Sequence, residues 1–359
     1  MKQFSDIYRG RRVLVTGHTG FKGSWLSAWL TQIGANVTGF ALAPGTSPNH
    51  WDLLGLPVAD VRGDIRDITA IRRTIHDHRP EIIFHLSAQP LVRRSYRDPL
   101  ESWSTNVMGT ANVLEVSRSA PDLRAIVVVT TDKVYANNDQ TRSYREDDRL
   151  GGHDPYSASK AASELVVESY RKSFFCRDGT PLIATARAGN VIGGGDWSED
   201  RLIPDVLRAL GRSCSLEIRS PNATRPWQHV LECTAAYLLL GQYLLDGNHD
   251  GVGAWNFGPA AEDNRTVTTV LAELQNHWPE LKWHVSEAQH PREAELLHLD
   301  TCKARSILRW KPVWDLGRTL EATAQWYRQQ VSMPQPPTLA QLSSYLESAE
   351  LAGSCWVGK

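Results

Sequence analysis

Short, nearly unbroken apolar runs recur through the first half of the chain, at 12–16, 36–42, 57–61, 81–86, 125–130 and 182–187, and apolar residues at helical spacing fill the intervals. A strand written as a continuous apolar run is buried on both faces, whereas a strand with one wet face alternates. Such strands alternating with amphipathic helices predict an α/β fold, a doubly wound parallel sheet covered on both sides. After Arg187 the pattern loosens into glycine, proline and arginine at 188–197, 201–204 and 223–229, which predicts loops on a smaller C-terminal lobe. The longest apolar run, 235–245, is interrupted by Gly241 and Gln242. It is too short for the roughly 20 residues that span a bilayer, so it reads as a buried helix. Residues 332–359 read as a loosely attached tail carrying one short helix.

The first apolar run leads into Gly17-His18-Thr19-Gly20-Phe21-Lys22-Gly23, with a helix predicted over 24–33. Glycines at a strand-to-helix turn let the backbone approach a pyrophosphate, and the helix N-terminus offers oriented N–H groups and a positive dipole end. Alone, the spacing is a weak signal. The strand before it and the helix after it make Gly17, Thr19, Gly20, Phe21, Lys22 and Gly23 candidates for a cofactor cradle in a Rossmann domain. The expected division is 1–186 for that domain, with 229–258 returning to it, 187–228 and 259–335 for a substrate-binding lobe, and 336–359 for a C-terminal tail.

The second strand, 36–42, ends without the acidic residue that would hold an adenosine ribose; Phe40, Ala41, Leu42 and Ala43 stand there instead. No arginine follows to meet a 2′-phosphate, so NAD is preferred over NADP. Asp64 and Ile65 follow the third strand and are placed to border the adenine. The fourth run ends in Leu86-Ser87-Ala88, small enough for close backbone approach to a cofactor. His85, at its end, has a simpler reading as a core histidine.

Two further motifs carry chemistry: Thr130-Thr131-Asp132-Lys133-Val134-Tyr135 and Tyr156-Ser157-Ala158-Ser159-Lys160. Tyrosine and lysine four apart on a helix share a face, so the ammonium sits beside the phenol. A nearby cation favours phenolate, bringing a pKa of about 10 towards the working range and making Tyr156 a general base. Thr131 adds a hydroxyl to fix the reacting oxygen. An isolated Tyr-x-x-x-Lys is a frequent accident on amphipathic helices; the glycine turn upstream makes it informative.

Composition narrows the partners. The chain has 359 residues, 41% of them hydrophobic, and a formal net charge of −1, enough for a large core and too balanced for nucleic acid or an anionic membrane as main partner. Residues 1–12 are polar and basic and are not expected to be a signal peptide. The five cysteines show no C-x-x-C spacing, and the histidines no metal-ligand pairing, which predicts no metal and a reducing, cytoplasmic setting. Arg187, Arg225 and Arg292 stand beside turn residues, where a planar guanidinium suits a diphosphate, although each alone is more simply a solvated surface arginine.

Over nearly its whole length the chain resembles the extended short-chain dehydrogenase/reductases acting on nucleotide sugars, and among them the CDP-glucose 4,6-dehydratases. The resemblance rests on the run from Thr16 to Trp25, Phe84-His85-Leu86-Ser87-Ala88-Gln89-Pro90, Asn106-Val107-Met108-Gly109-Thr110, Thr131-Asp132-Lys133, Tyr156 to Lys160, Arg187-Ala188-Gly189-Asn190-Val191 and Arg225-Pro226-Trp227-Gln228-His229. It implies NAD as cofactor, with Asn106, Tyr156 and Lys160 joining the cradle residues around it. It further implies a nucleotide hexose held by Gln89, Arg187, Asn190, Arg201, Leu202, Pro204, Arg225, Trp227, His229 and Arg292, and a lyase reaction making a deoxysugar of the O-antigen type. In that reaction Tyr156 deprotonates the 4-hydroxyl, Thr131 binds the 4-oxygen, Lys160 holds the nicotinamide ribose, and Asp132 protonates the departing 6-hydroxyl. Many dTDP-glucose relatives carry glutamate as the C5 base where Lys133 stands here. Lys133 therefore serves either as that base, the reading preferred here, or as a stabiliser of enolate charge. Family members pair two helices, here expected within 100–120 and 156–172, into a dimer interface. A nucleotide-sugar 4-epimerase would use the same fold, Tyr156, Lys160 and NAD, but would need neither Asp132 nor Lys133. A non-catalytic dinucleotide-binding regulator would have no reason to keep Thr131, Tyr156 and Lys160 together.

Overall fold

The computed structural model describes residues 2–137, 142–288, 296–333 and 335–358. Seven parallel strands form the central sheet: β1 (Arg12–Thr16), β2 (Asn36–Ala41), β3 (Ala59–Arg62), β4 (Ile82–His85), β5 (Ala125–Val129), β6 (Leu182–Ala188) and β7 (Gly253–Phe257). Their spatial order is β7-β6-β5-β4-β1-β2-β3, so the direction of winding reverses between β1 and β4. In doubly wound sheets ligands bind outside the strand C-termini at such a reversal.

Burial follows from strand alternation. Val13 and Val15 point to the face covered by the Phe21–Gln32 and Val230–Leu245 helices, whereas Leu14 points to the face covered by Ile68–His78 and Gly109–Ser117. The 235–245 run is the C-terminal part of the first face's long helix, whose residues are nearly all buried. Within the central sheet every pairing is parallel, with Val13 opposite Val37 and Ile82, and Ile126 opposite Ile83 and Ile183. The lobe beyond β6 includes the Leu202–Gly211 and Val267–Leu274 helices and two-stranded ladders, among them Leu216–Ile218 with Trp283–Val285 and Thr224–Pro226 with Asn264–Thr266.

Three local expectations are corrected. The helix after the glycine turn begins at Phe21, not at 24, because Gly23 lies inside its first turn. The 100–120 segment is helical only from Pro99 to Ser117, and it carries a π-helical stretch, Trp103–Met108, within it. The C-terminal segment is docked, not loose. Its Thr338–Leu351 helix buries Leu342, Tyr345 and Ala349, and the Tyr345 hydroxyl donates to buried Glu232 at 2.8 Å. Trp356 stacks on Phe4 at 5.1 Å between ring centres, and Val357–Gly358 pairs with Lys2–Gln3.

Candidate active site

A cleft of about 570 Å³ opens along the C-terminal ends of β1, β2, β4 and β5 and runs under the lobe. At its floor, Gly17 has φ +77°, and a Cβ there would stand 2.7 Å from the Ser87 nitrogen; a Cβ on Gly23 would overlap the Gly17 carbonyl. Only glycine fits either place, and the bare backbone they leave is the shape a pyrophosphate needs at a helix N-terminus. The neighbouring strand end is fixed from below. The Thr16 hydroxyl bonds His85 Nδ1 at 2.7 Å and accepts from the Leu86 and Ser87 nitrogens at 3.2 and 3.3 Å. Burial pushes His85 down to about 3, with Lys160 adding to the effect, so His85 is a neutral core histidine.

The predicted cradle residues Gly17, Thr19, Gly20, Phe21, Lys22, Gly23, Asp64, Ile65, Leu86, Ser87 and Ala88 all line the cleft. Asn106 does not. It is buried beneath it, accepting from the Gln89 nitrogen at 2.8 Å and donating to the Gln89 carbonyl and the Ser159 hydroxyl, which ties the Leu86–Gln89 segment to the Pro155–Ser173 helix. At the end of β2, Leu42 lies exposed on the cleft wall, and its carbonyl accepts from Thr19 at 3.0 Å and from Arg62 at 3.2 Å. An arginine thus reaches this strand end from β3, where the sequence alone suggested none. Its guanidinium is held by Asp60 at 2.6 Å.

Asp154 caps the Pro155–Ser173 helix by accepting from the Ser157 nitrogen, and Pro155 opens its first turn. Tyr156 and Lys160 face inward together, 8% and 7% exposed. Lys160 Nζ donates to the Val129 carbonyl at 3.1 Å. Burial and Lys22 pull its pKa down to about 8, against Glu164. Burial holds the Tyr156 phenol up at about 12, opposed by Thr131 and by the charge of Arg201. The expected lowering of Tyr156 by Lys160 is therefore corrected: in this protein desolvation outweighs the cations around the phenol.

Opposite Tyr156, Thr131 caps a one-turn 3-10 helix, Asp132–Val134. The Thr131 hydroxyl donates to Asp132 Oδ1 at 2.9 Å, and Asp132 Oδ2 is buried without a hydrogen-bond partner among the described residues. Burial raises the Asp132 carboxyl above its usual range, although Lys133, Thr131, Arg225 and Lys22 all pull the other way. Burial thus favours the protonated carboxyl, the form that can donate. Lys133 lines the same cleft.

Of the residues named for the substrate, Gln89, Asn190, Arg201, Leu202, Arg225 and Trp227 line the cleft. Pro204 is buried in the Leu202–Gly211 helix and His229 is packed between Trp25 and Trp314, its Nδ1 accepting from the Leu231 nitrogen. Arg187 is 3% exposed and paired with Glu164 at 3.0 Å, so it does not reach a diphosphate. Arg292 lies outside the described residues. The sequence reading passed over Arg93 and Arg219, which line the cleft and share Asp200 at 3.5 and 2.9 Å. They come from the Val92–Arg97 helix and the end of Leu216–Ile218, and no spacing announces that meeting.

Comparison with known proteins agrees with this geometry. Residues 14–323 match the family described as GDP-mannose 4,6 dehydratase. The chain is 45% identical over 331 residues, covering 90% of itself and 92% of the relative, to the CDP-glucose 4,6-dehydratase of Salmonella typhimurium. Among solved structures it is similar to an epimerase from Methanothermobacter thermautotrophicus, with TM-score 0.81, 23% identity and 92% and 96% of the two chains covered. It is also similar to the dTDP-glucose 4,6-dehydratase of Bacillus anthracis in complex with NAD, with TM-score 0.74, 22% identity and 89% and 97% covered.

Proposed function

The chain belongs to the GDP-mannose 4,6 dehydratase family, and from that premise we propose that it is an NAD-dependent hydro-lyase converting CDP-D-glucose to CDP-4-dehydro-6-deoxy-D-glucose and water. The observation that carries the reading is one cleft holding the Thr131-Asp132-Lys133 turn, Tyr156, Lys160 and the glycine cradle. The 45% identical relative named for this activity supports the choice of base and sugar. The bare backbone at Gly17 and Gly23 fits NAD, which would be held there and would supply the hydride acceptor and donor.

Each side chain then has a task. Tyr156 accepts the 4-hydroxyl proton as C4 is oxidised, Thr131 holds the 4-oxygen, and Lys160 grips the cofactor ribose. The 4-ketone acidifies the C5 proton, which Lys133 removes or whose enolate charge it steadies. Asp132 gives its proton to the 6-hydroxyl, which departs as water, and C6 and C5 then receive hydride and proton. Arg225 and Arg201, with Arg93 and Arg219, supply the positive wall for the diphosphate.

The test is a substrate panel: the protein with NAD and, separately, CDP-, dTDP-, UDP- and GDP-linked hexoses, the products weighed by mass spectrometry. Loss of one water from CDP-glucose is the expected result. A product of unchanged mass with inverted C4 would make the protein an epimerase, and loss of water from another nucleotide alone would move the base assignment.

The strand end at Leu42 sets the expected cofactor behaviour. A carboxylate there would accept from the adenosine ribose, and a charge-assisted bond contributes about 1.5–3 kcal/mol, roughly ten- to a hundredfold in affinity. The purified protein should therefore be partly empty of NAD and gain activity when NAD is added. NADP should do little, because Asp60 already occupies the Arg62 guanidinium. A preparation that stays fully loaded through extensive dialysis and ignores added NAD would show that other contacts replace the carboxylate.

The same reading takes residues 1–186 with 229–258 as the dinucleotide-binding unit and 187–228 with 259–335 as the substrate lobe, and places the protein in the cytoplasm. It also takes the protein as a homodimer or a dimer of dimers, a reading supported by exposed Leu100, Trp103, Met108 and Leu165 on the 99–117 and 155–173 segments.

A further inference from the structure

The Glu164 carboxylate is 5% exposed and saturated with donors. Oε1 accepts from the Thr130 hydroxyl at 2.5 Å and Arg187 Nε at 3.0 Å, and Oε2 accepts from the Thr185 hydroxyl at 2.7 Å and Arg187 Nη2 at 3.0 Å. Arg187 Nη1 continues the chain, donating to the Tyr135 hydroxyl at 2.9 Å and the Glu146 carbonyl at 3.1 Å. Tyr135 in turn donates to Asn256 of β7 at 2.6 Å. Thr130 immediately precedes the Thr131-Asp132-Lys133 turn and Tyr135 follows it after Val134. The turn is thus pinned at both ends to one buried ion pair, whose Glu164 stands on the helix of Tyr156 and Lys160, one turn beyond the lysine, and whose Arg187 stands on β6.

A buried ion pair is poor evidence for stability, because desolvating two charges offsets most of their attraction and an apolar pair of equal volume often does as well. What an apolar pair could not do is hold hydroxyls of the flanking residues at fixed distances. We propose that Glu164, through Arg187, is a positioning residue that sets the Thr131–Lys133 turn against Tyr156 and Lys160, so that the proton acceptor at the 4-oxygen and the proton donor at the 6-oxygen act on one bound sugar. Misplacement of reacting groups by about 1 Å costs on the order of a hundredfold in rate. The role of Arg187 then lies in this linkage and not in the diphosphate site.

The network also bears on the lysine's charge. The groups facing Lys160 are Lys22 from the first helix, Glu164 from its own helix and neutral His85 at the end of β4; burial and Lys22 depress its pKa and Glu164 supports it. The ammonium is therefore lost as pH rises through about 8, and earlier once Glu164 loses its charge.

Two variants test the proposal. Thr130→Val cuts one hydroxyl contact and leaves the Glu164–Arg187 pair intact, so it should fold but melt below the wild type, lose roughly ten- to a hundredfold in kcat at unchanged KM well below that melting point, and regain both as Thr130→Ser. Wild-type kcat in Thr130→Val, or a loss carried by KM alone, overturns the proposal. Glu164→Gln should shift the alkaline fall in NAD affinity, read by fluorescence titration without substrate, to lower pH, while Thr130→Val leaves it in place. An unshifted fall also overturns it, and if Glu164→Gln does not fold, the threonine variants decide. The turnover arm rests on the dehydratase reading; a wild-type protein that leaves every nucleotide hexose unchanged sinks that reading, and the NAD titration still decides this one.

Discussion

Tyr156→Phe is expected to stop oxidation at C4 while the nucleotide sugar still binds. The ring is 8% exposed and phenylalanine refills its space, and Thr131 keeps Asp132 as a partner, so the cleft should hold its shape. The hydroxyl is what disappears. A positioned general base contributes about a hundred- to ten-thousandfold in rate, and that range is the expected loss in single-turnover formation of reduced cofactor. The pH dependence has a definite sign. Burial holds the phenol at about 12, so the fraction able to accept a proton rises with pH, and the wild-type rate should climb on its acid side. Tyr156→Phe should lose that climb. Near-wild-type turnover in the variant, or an unchanged acid limb, would remove Tyr156 from the mechanism.

Five of the seven strands were legible because they are buried on both faces and therefore read as apolar runs; β3, Ala59–Arg62, is an edge strand that is largely exposed and carries Asp60 and Arg62. β7, Gly253–Phe257, does not stand out either, since Asn256 interrupts it and is buried for its hydrogen bonds to Tyr135, Tyr144 and Asp300. The C-terminal segment misled for a related reason. Its helix buries Leu342, Tyr345 and Ala349 at helical spacing, but exposed Leu339 and Leu351 blur that stripe, and Trp356 anchors the end as a single large aromatic outside any pattern. Glycines at Gly17 and Gly23 were readable because their need is local. Arg187 was not, because a guanidinium beside a turn looks solvated until Glu164, 23 residues away on another element, is brought against it. Arg62 and the Arg93–Asp200–Arg219 group are likewise products of chain crossing. For Tyr156, the neighbouring lysine is visible in the sequence and the depth of burial is not, and burial decided the sign of the shift.

Asp132→Asn should separate the two halves of the reaction. Asparagine keeps the shape and still offers Thr131 an oxygen, so Tyr156, Thr131 and Lys160 can complete C4 oxidation. It cannot give up a proton to the 6-hydroxyl, and hydroxide is too poor a leaving group to depart unaided. The 4-keto sugar and the reduced cofactor should then accumulate, with net turnover down by about a hundred- to ten-thousandfold, the range of a lost general acid. In the wild type burial raises the carboxyl and so favours the acid form, and elimination should weaken as pH rises through that raised value, a decline that the residual rate of Asp132→Asn should not follow. Lys133→Met is expected to stall at the same stage, since neither C5 deprotonation nor enolate charge is then supported. Absorbance of the reduced cofactor in a single turnover distinguishes the outcomes. A variant that turns over normally with no build-up would assign elimination to other groups, and one that never reduces the cofactor would show that the Thr131–Lys133 turn serves the first step instead.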